Sequence, residues 1–371
     1  MFSFLQNFPL PDVLRYDALI AGLASLLTCL VLIWTKRWHG SFSMDETDGV
    51  QKIHTNPTLR IGGVGIAMGV LAGFAASSHD FMSAEKRAIL SVILLAGMPA
   101  FIFGLLEDLT KKVSVKIRLL ATMASGILGW GITGTSLTEL NIYGVDWLLG
   151  YTSISVIFTA IAVSGVANAI NIIDGLNGLT AGTSMIMLCA FGWIAYLVGD
   201  TPLSFACLII TFSVAGFFII NWPAGKIFLG DGGAYFLGFT LAWIAVLLPE
   251  RNPSISPWTS LLICSYPILE VLFSVLRRSL REGYSPTEPD ATHLHSLANK
   301  RWGKKIFHYF SPNMQNSMTS VLLWIYASIS CILSVIFYKN QDLTIFSLIF
   351  CTAIYALLYS KLAFFRWIPK R

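Results

Sequence analysis

Residues 226–239 read KIFLGDGGAYFLGF. A carboxylate, Asp231, stands among glycines and apolar residues at the entrance to a long hydrophobic run, and the nature of that run decides the fold. It extends over about 233–249, close to the roughly 20 apolar residues a helix needs to cross a hydrocarbon core of about 30 Å. Ten further segments share its character, near 16–35, 61–78, 88–106, 118–134, 149–167, 179–198, 203–221, 258–276, 318–338 and 342–363. A chain of 371 residues that is 55% hydrophobic and only 12% charged is outside the range of ordinary water-soluble domains. In lipid every backbone amide must be satisfied internally, so the expectation is an all-α, polytopic integral membrane protein with about 11 transmembrane helices. With neither a fixed-period repeat nor a long linker, residues 1–371 form a single membrane-embedded domain.

The connecting charges predict orientation. Alternate connections place 20 of the 25 Lys and Arg residues on one side of the membrane, leaving Arg15, Lys86, Arg87, Arg251 and Lys339 on the other. The positive-inside rule then puts the N-terminus outside and the C-terminus in the cytoplasm. The net charge of +5 hides this split and gives no reason to invoke nucleic acid. The first basic residue is Arg15 and no small-residue cleavage site follows the first apolar run, so that run is expected to remain as a helix. Cys29, Cys189, Cys207, Cys264, Cys331 and Cys351 all fall within expected spans, which suggests packing rather than disulfides or metal ligation. Gly65, Gly69 and Gly73 recur every four residues and predict a face for close helix approach. The G-x-G fragment there lacks the strand and helix of a dinucleotide fingerprint.

Charged residues beside apolar runs need partners or water. Glu107 and Asp108 end the third span, Asp174 ends the fifth, and Asp231 begins the eighth, all near cytoplasmic ends. Each alone could be a solvated helix end. Together they predict one shallow cleft whose mutual repulsion is relieved by Mg²⁺, or Mn²⁺, a cation that also binds diphosphates. Phosphoryl transfer is the chemistry this suggests. In NAINIIDGLNGL, Asn168, Asn171, Asp174 and Asn177 recur every three residues and, if helical, present amides and a carboxylate on one slowly drifting face. The alternative is a polar turn between helices.

Two inner loops carry further candidates. His293 and His295, followed by Lys300, Arg301, Lys304 and Lys305, favour a phosphate grip over metal ligation, since no third ligand is close in sequence. Trp302, Ile306 and Phe310 are four apart and predict a helix lying in the membrane interface. In the first inner loop, Lys52, His54 and Arg60 either hold an anionic substrate or only report topology. Glu270, inside the ninth span, is either a site member or half of a structural ion pair.

From about Asp45 to Arg301 these motifs, in combination and order, resemble the polyprenyl-phosphate N-acetylhexosamine-1-phosphate transferases, glycosyltransferase family 4. The acidic pair in GLLED, the run NAINIIDGLNG, FLGDGG, THLHS, the pattern from Lys52 to Gly63, and SVKIR at 114–118 carry the likeness. Within the family the UDP-GlcNAc:undecaprenyl-phosphate GlcNAc-1-phosphate transferase branch fits better than the peptidoglycan branch, whose late loop usually shows a run of histidines. The resemblance implies a Mg²⁺-dependent exchange of a UDP-HexNAc with polyprenyl (undecaprenyl) phosphate, giving the lipid-linked sugar and UMP at the start of a surface polysaccharide such as O-antigen or capsule. It implies a multi-pass protein of the bacterial inner membrane with its site facing the cytoplasm, and leaves room for a homodimer. Asp231 would be the principal metal ligand, with Asp174 as a second. Glu107 and Asp108 would place or deprotonate the lipid phosphate, Asn168, Asn171, Asp174 and Asn177 would face the nucleotide, and Lys52, Lys116, His293, His295 and Arg301 would bind substrate. Glu107 and Asn177 stand where the family usually has Asp, and Ser296 where relatives often have His. A phospho-MurNAc-pentapeptide transferase, a transporter and a non-catalytic UDP-sugar-binding relative are the competing readings.

Overall fold

The computed structural model describes residues 12–45, 57–77, 83–279 and 292–363. All eleven apolar segments are helical, in three forms. Eight are single helices long and apolar enough to cross a membrane: α1 (Asp12–Trp34), α6 (Val115–Thr133), α8 (Thr152–Ile172), α9 (Leu179–Leu197), α10 (Thr201–Asn221), α11 (Gly230–Arg251), α16 (Pro312–Phe337) and α17 (Gln341–Ala363). Two are bent pairs: α4 (Ser83–Ala96) with α5 (Met98–Thr110), at 44°, and α12 (Pro257–Ile263) with α13 (Ser265–Ser279), at 75°. The first break falls at Gly97, just before Pro99, and the second at Cys264, with Pro267 in the first turn that follows. Proline removes a backbone donor and crowds the preceding turn, so an apolar run read as one straight span divides there. The eleventh, α3 (Gly63–Ala76), has only 14 residues, about 21 Å of helix, and is shorter than the expected span. Short helices α2 (Lys36–Ser43), α7 (Val145–Leu149), α14 (Leu294–Ala298) and α15 (Lys304–Ile306) complete the set.

The innermost helix is α11, whose apolar window is 89% buried, against 22% for α17. Leu23, Ile157, Ile161, Phe346 and Ile349 are exposed on the outer helices, as a lipid-facing surface requires. The expected glycine face is present: a Cβ on Gly65 would meet Cys29, one on Gly69 would meet Ala21 and Ser213, and one on Gly73 would meet Ile209. It packs α3 against α1 and α10. All six cysteines are unpaired, and all but Cys189 are buried.

Two segments depart from their expected periodicity. The helix carrying Asn168 and Asn171 ends at Ile172, so Asp174 and Asn177 lie in the turn before α9 rather than on the same helix face. The stripe Trp302, Ile306 and Phe310 does not lie on one interfacial helix. It is divided among a π turn (Asn299–Gly303), the single turn of α15 and the bends before α16. Gly303 is pressed against Thr319 of α16 there, and Trp302 packs on the core while Ile306 and Phe310 are exposed.

A small polar framework ties the ends of α3, α5 and α11. Strands β1 (Met44–Asp45) and β2 (Thr58–Leu59) pair antiparallel, and Leu59 bridges in parallel to Ile227. Beyond the strand, Gly62 N–H donates to Phe228 O and Gly63 N–H to Leu229 O, each at 2.9 Å. The segment before α3 is thereby stitched to the segment that leads into Asp231.

Candidate active site

Asp231 is the second residue of α11, just after Gly230, whose φ of +75° turns the chain into the helix. Leu229, at the N-cap, supplies no side-chain cap. The cap comes from another helix: Asp108, in the last turn of α5, accepts from Asp231 N–H with Oδ1 and from Gly232 N–H with Oδ2, both at 2.8 Å. First-turn amides have no partner within their own helix and carry partial positive charge, so a carboxylate there is stabilising. Gly104, one turn before Asp108, lets α5 come this close, since a Cβ on it would lie 2.6 Å from Asp231 O.

The side chain of Asp231 gathers three partners. Arg118, from the first turns of α6, is ion-paired to Oδ2. Asn171 Nδ2 donates to Oδ1 at 3.0 Å, and Arg60 Nη2 lies 3.7 Å from the same atom. Arg60 also binds Asp108 through Nε at 2.9 Å, so it bridges the two carboxylates. Asp108 is fully buried, whereas Asp231 keeps 16% of its side chain exposed. Arg118 is further held over the ring of Tyr235 at 5.5 Å, and Tyr235 hydroxyl donates to Asn168 Oδ1 at 3.3 Å.

Asp174 is half-buried in the turn after α8, within electrostatic reach of Arg60 and Asp108. Burial pushes its carboxyl up to about 6, against the opposing pull of the Thr180 hydroxyl and the Arg60 guanidinium. His293 and His295 lie in the segment that begins α14, their rings stacked 5.5 Å apart, and His295 Nε2 faces Gly175, the neighbour of Asp174. Burial lowers the His295 imidazole to about 4, against the pull of Glu270.

The other expected residues are placed elsewhere. Glu107 Oε2 accepts from Val113 N–H at 2.7 Å and so closes the turn that follows α5. Asn177 is buried against α16, donating from Nδ2 to Asn313 Oδ1 at 2.8 Å and to Ser317 Oγ at 3.2 Å. Lys116 is exposed in the first turn of α6, and Arg301 is half-buried on the π turn. Lys52 and His54 lie outside the described residues. The two motif positions that depart from the family pattern, Glu107 and Asn177, are thus both engaged in local structure. The conforming Asp108, Asn171 and Asp231 converge. Arg118 and Tyr235 were not singled out from sequence, although Arg118, a cation within an apolar segment, is itself a signal that a partner carboxylate is near.

Among the described residues, no three His, Cys, Asp or Glu side chains gather as a metal cage. The donor set nevertheless suits a hard ion with few protein ligands. Asp108, Asp174 and Asp231 against Arg60 and Arg118 leave an excess of carboxylate, and Mg²⁺ is held by one or two carboxylates together with water and substrate phosphates.

Comparison with known proteins agrees with this arrangement. Residues 90–249, which include the converging residues of α5, α6, α8 and α11, match the family model described as glycosyl transferase family 4. The chain is 28% identical over 277 residues to the undecaprenyl-phosphate alpha-N-acetylglucosaminyl 1-phosphate transferase of Escherichia coli K12, covering 73% of each chain. It is 29% identical over 283 residues to a probable undecaprenyl-phosphate N-acetylglucosaminyl 1-phosphate transferase of Bacillus subtilis, covering 74% of this chain and 75% of the relative. The Yersinia pestis protein named as an undecaprenyl-phosphate alpha-N-acetylglucosaminyl 1-phosphate transferase is 29% identical over 252 residues. Fold and site together define a multi-pass α-helical membrane protein with carboxylates, guanidiniums and amides gathered at one end of its helices. Over residues 90–249 the chain is similar to glycosyl transferase family 4.

Proposed function

We propose that the protein transfers HexNAc-1-phosphate from a UDP-sugar to undecaprenyl phosphate, releasing UMP and starting a lipid-linked surface glycan. The observation that carries this reading is the cluster of Asp231, Arg118, Arg60 and Asn171 at the start of α11, together with relatives named for this reaction. An oxygen of the lipid phosphate attacks the sugar-bearing phosphorus, the bond from that phosphorus to the bridging oxygen breaks, and the electron pair leaves with UMP. Arg60 and Arg118 bind phosphate oxygens as charge accumulates, a role for which the planar guanidinium is suited. Asn171 and Asn168 supply amides toward the nucleotide, and Asp108 holds the start of α11 and Arg60 in place.

Asp231 and Asp174 would hold Mg²⁺ or Mn²⁺, which would supply charge withdrawal from the diphosphate and stabilisation of the leaving UMP. The 20 Lys and Arg residues assigned to the site's side of the membrane support a site that faces the cytoplasm, in a protein of the bacterial inner membrane. An apolar cavity of about 210 Å³ between α8, α11 and the bent α12–α13 pair, lined by residues such as Phe158, Val166, Val246, Trp258 and Ile268, extends toward the Arg251 end of α11 and is consistent with an apolar tail lying along the bundle.

Membranes containing the protein, incubated with undecaprenyl phosphate, Mg²⁺ and a panel of UDP-HexNAc donors, test this reading through UMP release and lipid-linked sugar. Wild type is expected to form product, and Asp231→Asn to lose about 10³-fold of the rate, the scale on which single transition-state stabilisers act. Turnover of UDP-MurNAc-pentapeptide with none of the simple donors would assign the peptidoglycan reaction instead. UDP-sugar binding without UMP release would mark a non-catalytic relative.

A further inference from the structure

Behind the histidine segment lies a group of buried polar side chains to which the proposed reaction gives no part. Glu270, in α13, is 1% exposed. Its Oε1 accepts from Leu294 N–H at 2.6 Å and lies 3.1 Å from His293 Nδ1 and 3.8 Å from His295 Nδ1. Its Oε2 accepts from the hydroxyl of Tyr355 at 2.9 Å. Tyr355 belongs to α17, the last helix, and Tyr359 stacks on it one turn later. The Tyr359 hydroxyl donates to Thr292 O at 3.1 Å, and Arg277 Nη1 donates to the same carbonyl at 2.8 Å. Both ends of the segment Thr292–His295 are thereby held by α13 and α17.

A carboxylate buried in an apolar bundle is costly unless its lone pairs are used, and well-packed apolar residues often serve stability better. Here Oε1 is directed at the His293 ring and the backbone N–H of Leu294, which fixes the orientation of that ring and the nitrogen that faces inward. The other side of His295 is equally constrained. A Cβ at Gly175 would come within 2.5 Å of Nε2, so the imidazole rests on the backbone next to Asp174.

We propose that Glu270 and Tyr355 are positioning residues for His293, keeping its Nδ1 inward so that its Nε2 addresses the diphosphate of the nucleotide sugar, while His295 is seated beside it on the Gly175 backbone. The last helix, which bears none of the family motifs, is by this argument part of the substrate-binding apparatus. The identity of the ligand rests on the proposed function; the orientation of the imidazoles does not.

Tyr355→Phe removes one hydroxyl and keeps the ring, and Glu270→Gln keeps the shape and removes the charge. With UDP-GlcNAc and undecaprenyl phosphate as substrates, each variant is expected to raise KM for the sugar nucleotide about tenfold and to leave KM for the lipid unchanged. Unchanged values for both substrates, or an equal rise in both, would overturn the proposal, the second by showing a purely structural role. Selective ¹⁵N labelling of histidine reads orientation without turnover. Wild type is expected to hold His293 as the Nδ1–H tautomer and Tyr355→Phe to mix its tautomers. Identical tautomer populations would overturn the pairing, and if wild type turned over no UDP-sugar, this measurement would still decide it while the proposed reaction fell.

Discussion

Asp174 and Asp231 are both acidic residues beside apolar helices, yet their surroundings differ. Two guanidiniums and an amide face Asp231, whereas burial dominates at Asp174 and raises its carboxyl from 3.8 to about 6. A raised folded-state pKa means that the folded protein binds this proton more tightly than the unfolded chain. The resulting stability is fully present below pH 3.8, and is lost as pH rises through about 6. Without divalent ions, the thermal midpoint of detergent-solubilised wild type should therefore fall relative to Asp174→Asn between about pH 4 and 6, and identical pH profiles would refute the assignment. That these carboxylates lie at helix ends was legible from the sequence. Which of them face charge and which face burial was not, because the deciding cations, Arg60 and Arg118, come from other parts of the chain.

At the scale of the elements, the site is a consequence of close helix approach. Gly104 on α5 touches the backbone at Asp231 and Gly63 on α3 touches Gly233, so three helices meet with little side chain between them. Gly104→Ala would place a methyl group 2.6 Å from Asp231 O, and overpacking of this kind costs about 1–3 kcal/mol. The expected result is a lower thermal midpoint together with a loss of transferase rate, because the displaced backbone carries Asp231. A variant with wild-type rate and midpoint would show that the contact is soft. Helix existence was readable from hydropathy throughout, since lipid demands internally paired backbone over any long apolar run. Breaks were harder to read: Pro99 and Pro267 were visible in the sequence, but the 44° and 75° bends depend on how the flanking helices pack. The periodicity argument for Asn168 to Asn177 failed where helix α8 ended, and the chain before Gly178, which has φ +77°, became a turn.

At the scale of the molecule, α11 runs from Asp231 at the site to Arg251 at the opposite end. There Arg251 binds Asp200 at 2.8 Å and Glu85 at 3.1 Å, fastening the far ends of α4, α10 and α11. Burial opposes ionisation of Asp200, but its bonds to Arg251 and Asn252 outweigh it and hold the carboxyl below its ordinary value. On the orientation proposed from the distribution of Lys and Arg, this end lies outside. Alkaline phosphatase fused after Asn252 should accordingly be active and a fusion after Arg371 inactive; the reverse pattern would invert the topology and the proposed cytoplasmic site. Composition, hydropathy and charge asymmetry determined that the chain is a helical membrane protein and which end of its helices to search. The order of short motifs pointed to the family it resembles. These properties are additive along the chain, because membrane insertion and positive-inside bias act on one segment at a time. Tertiary structure alone decided that Asp108 caps a helix distant in sequence, that Arg118 pairs with Asp231, that Asn177 turns to α16, and that the last helix braces the histidine segment. Each of those is a pairing between residues far apart in the chain, set by packing that no local pattern encodes.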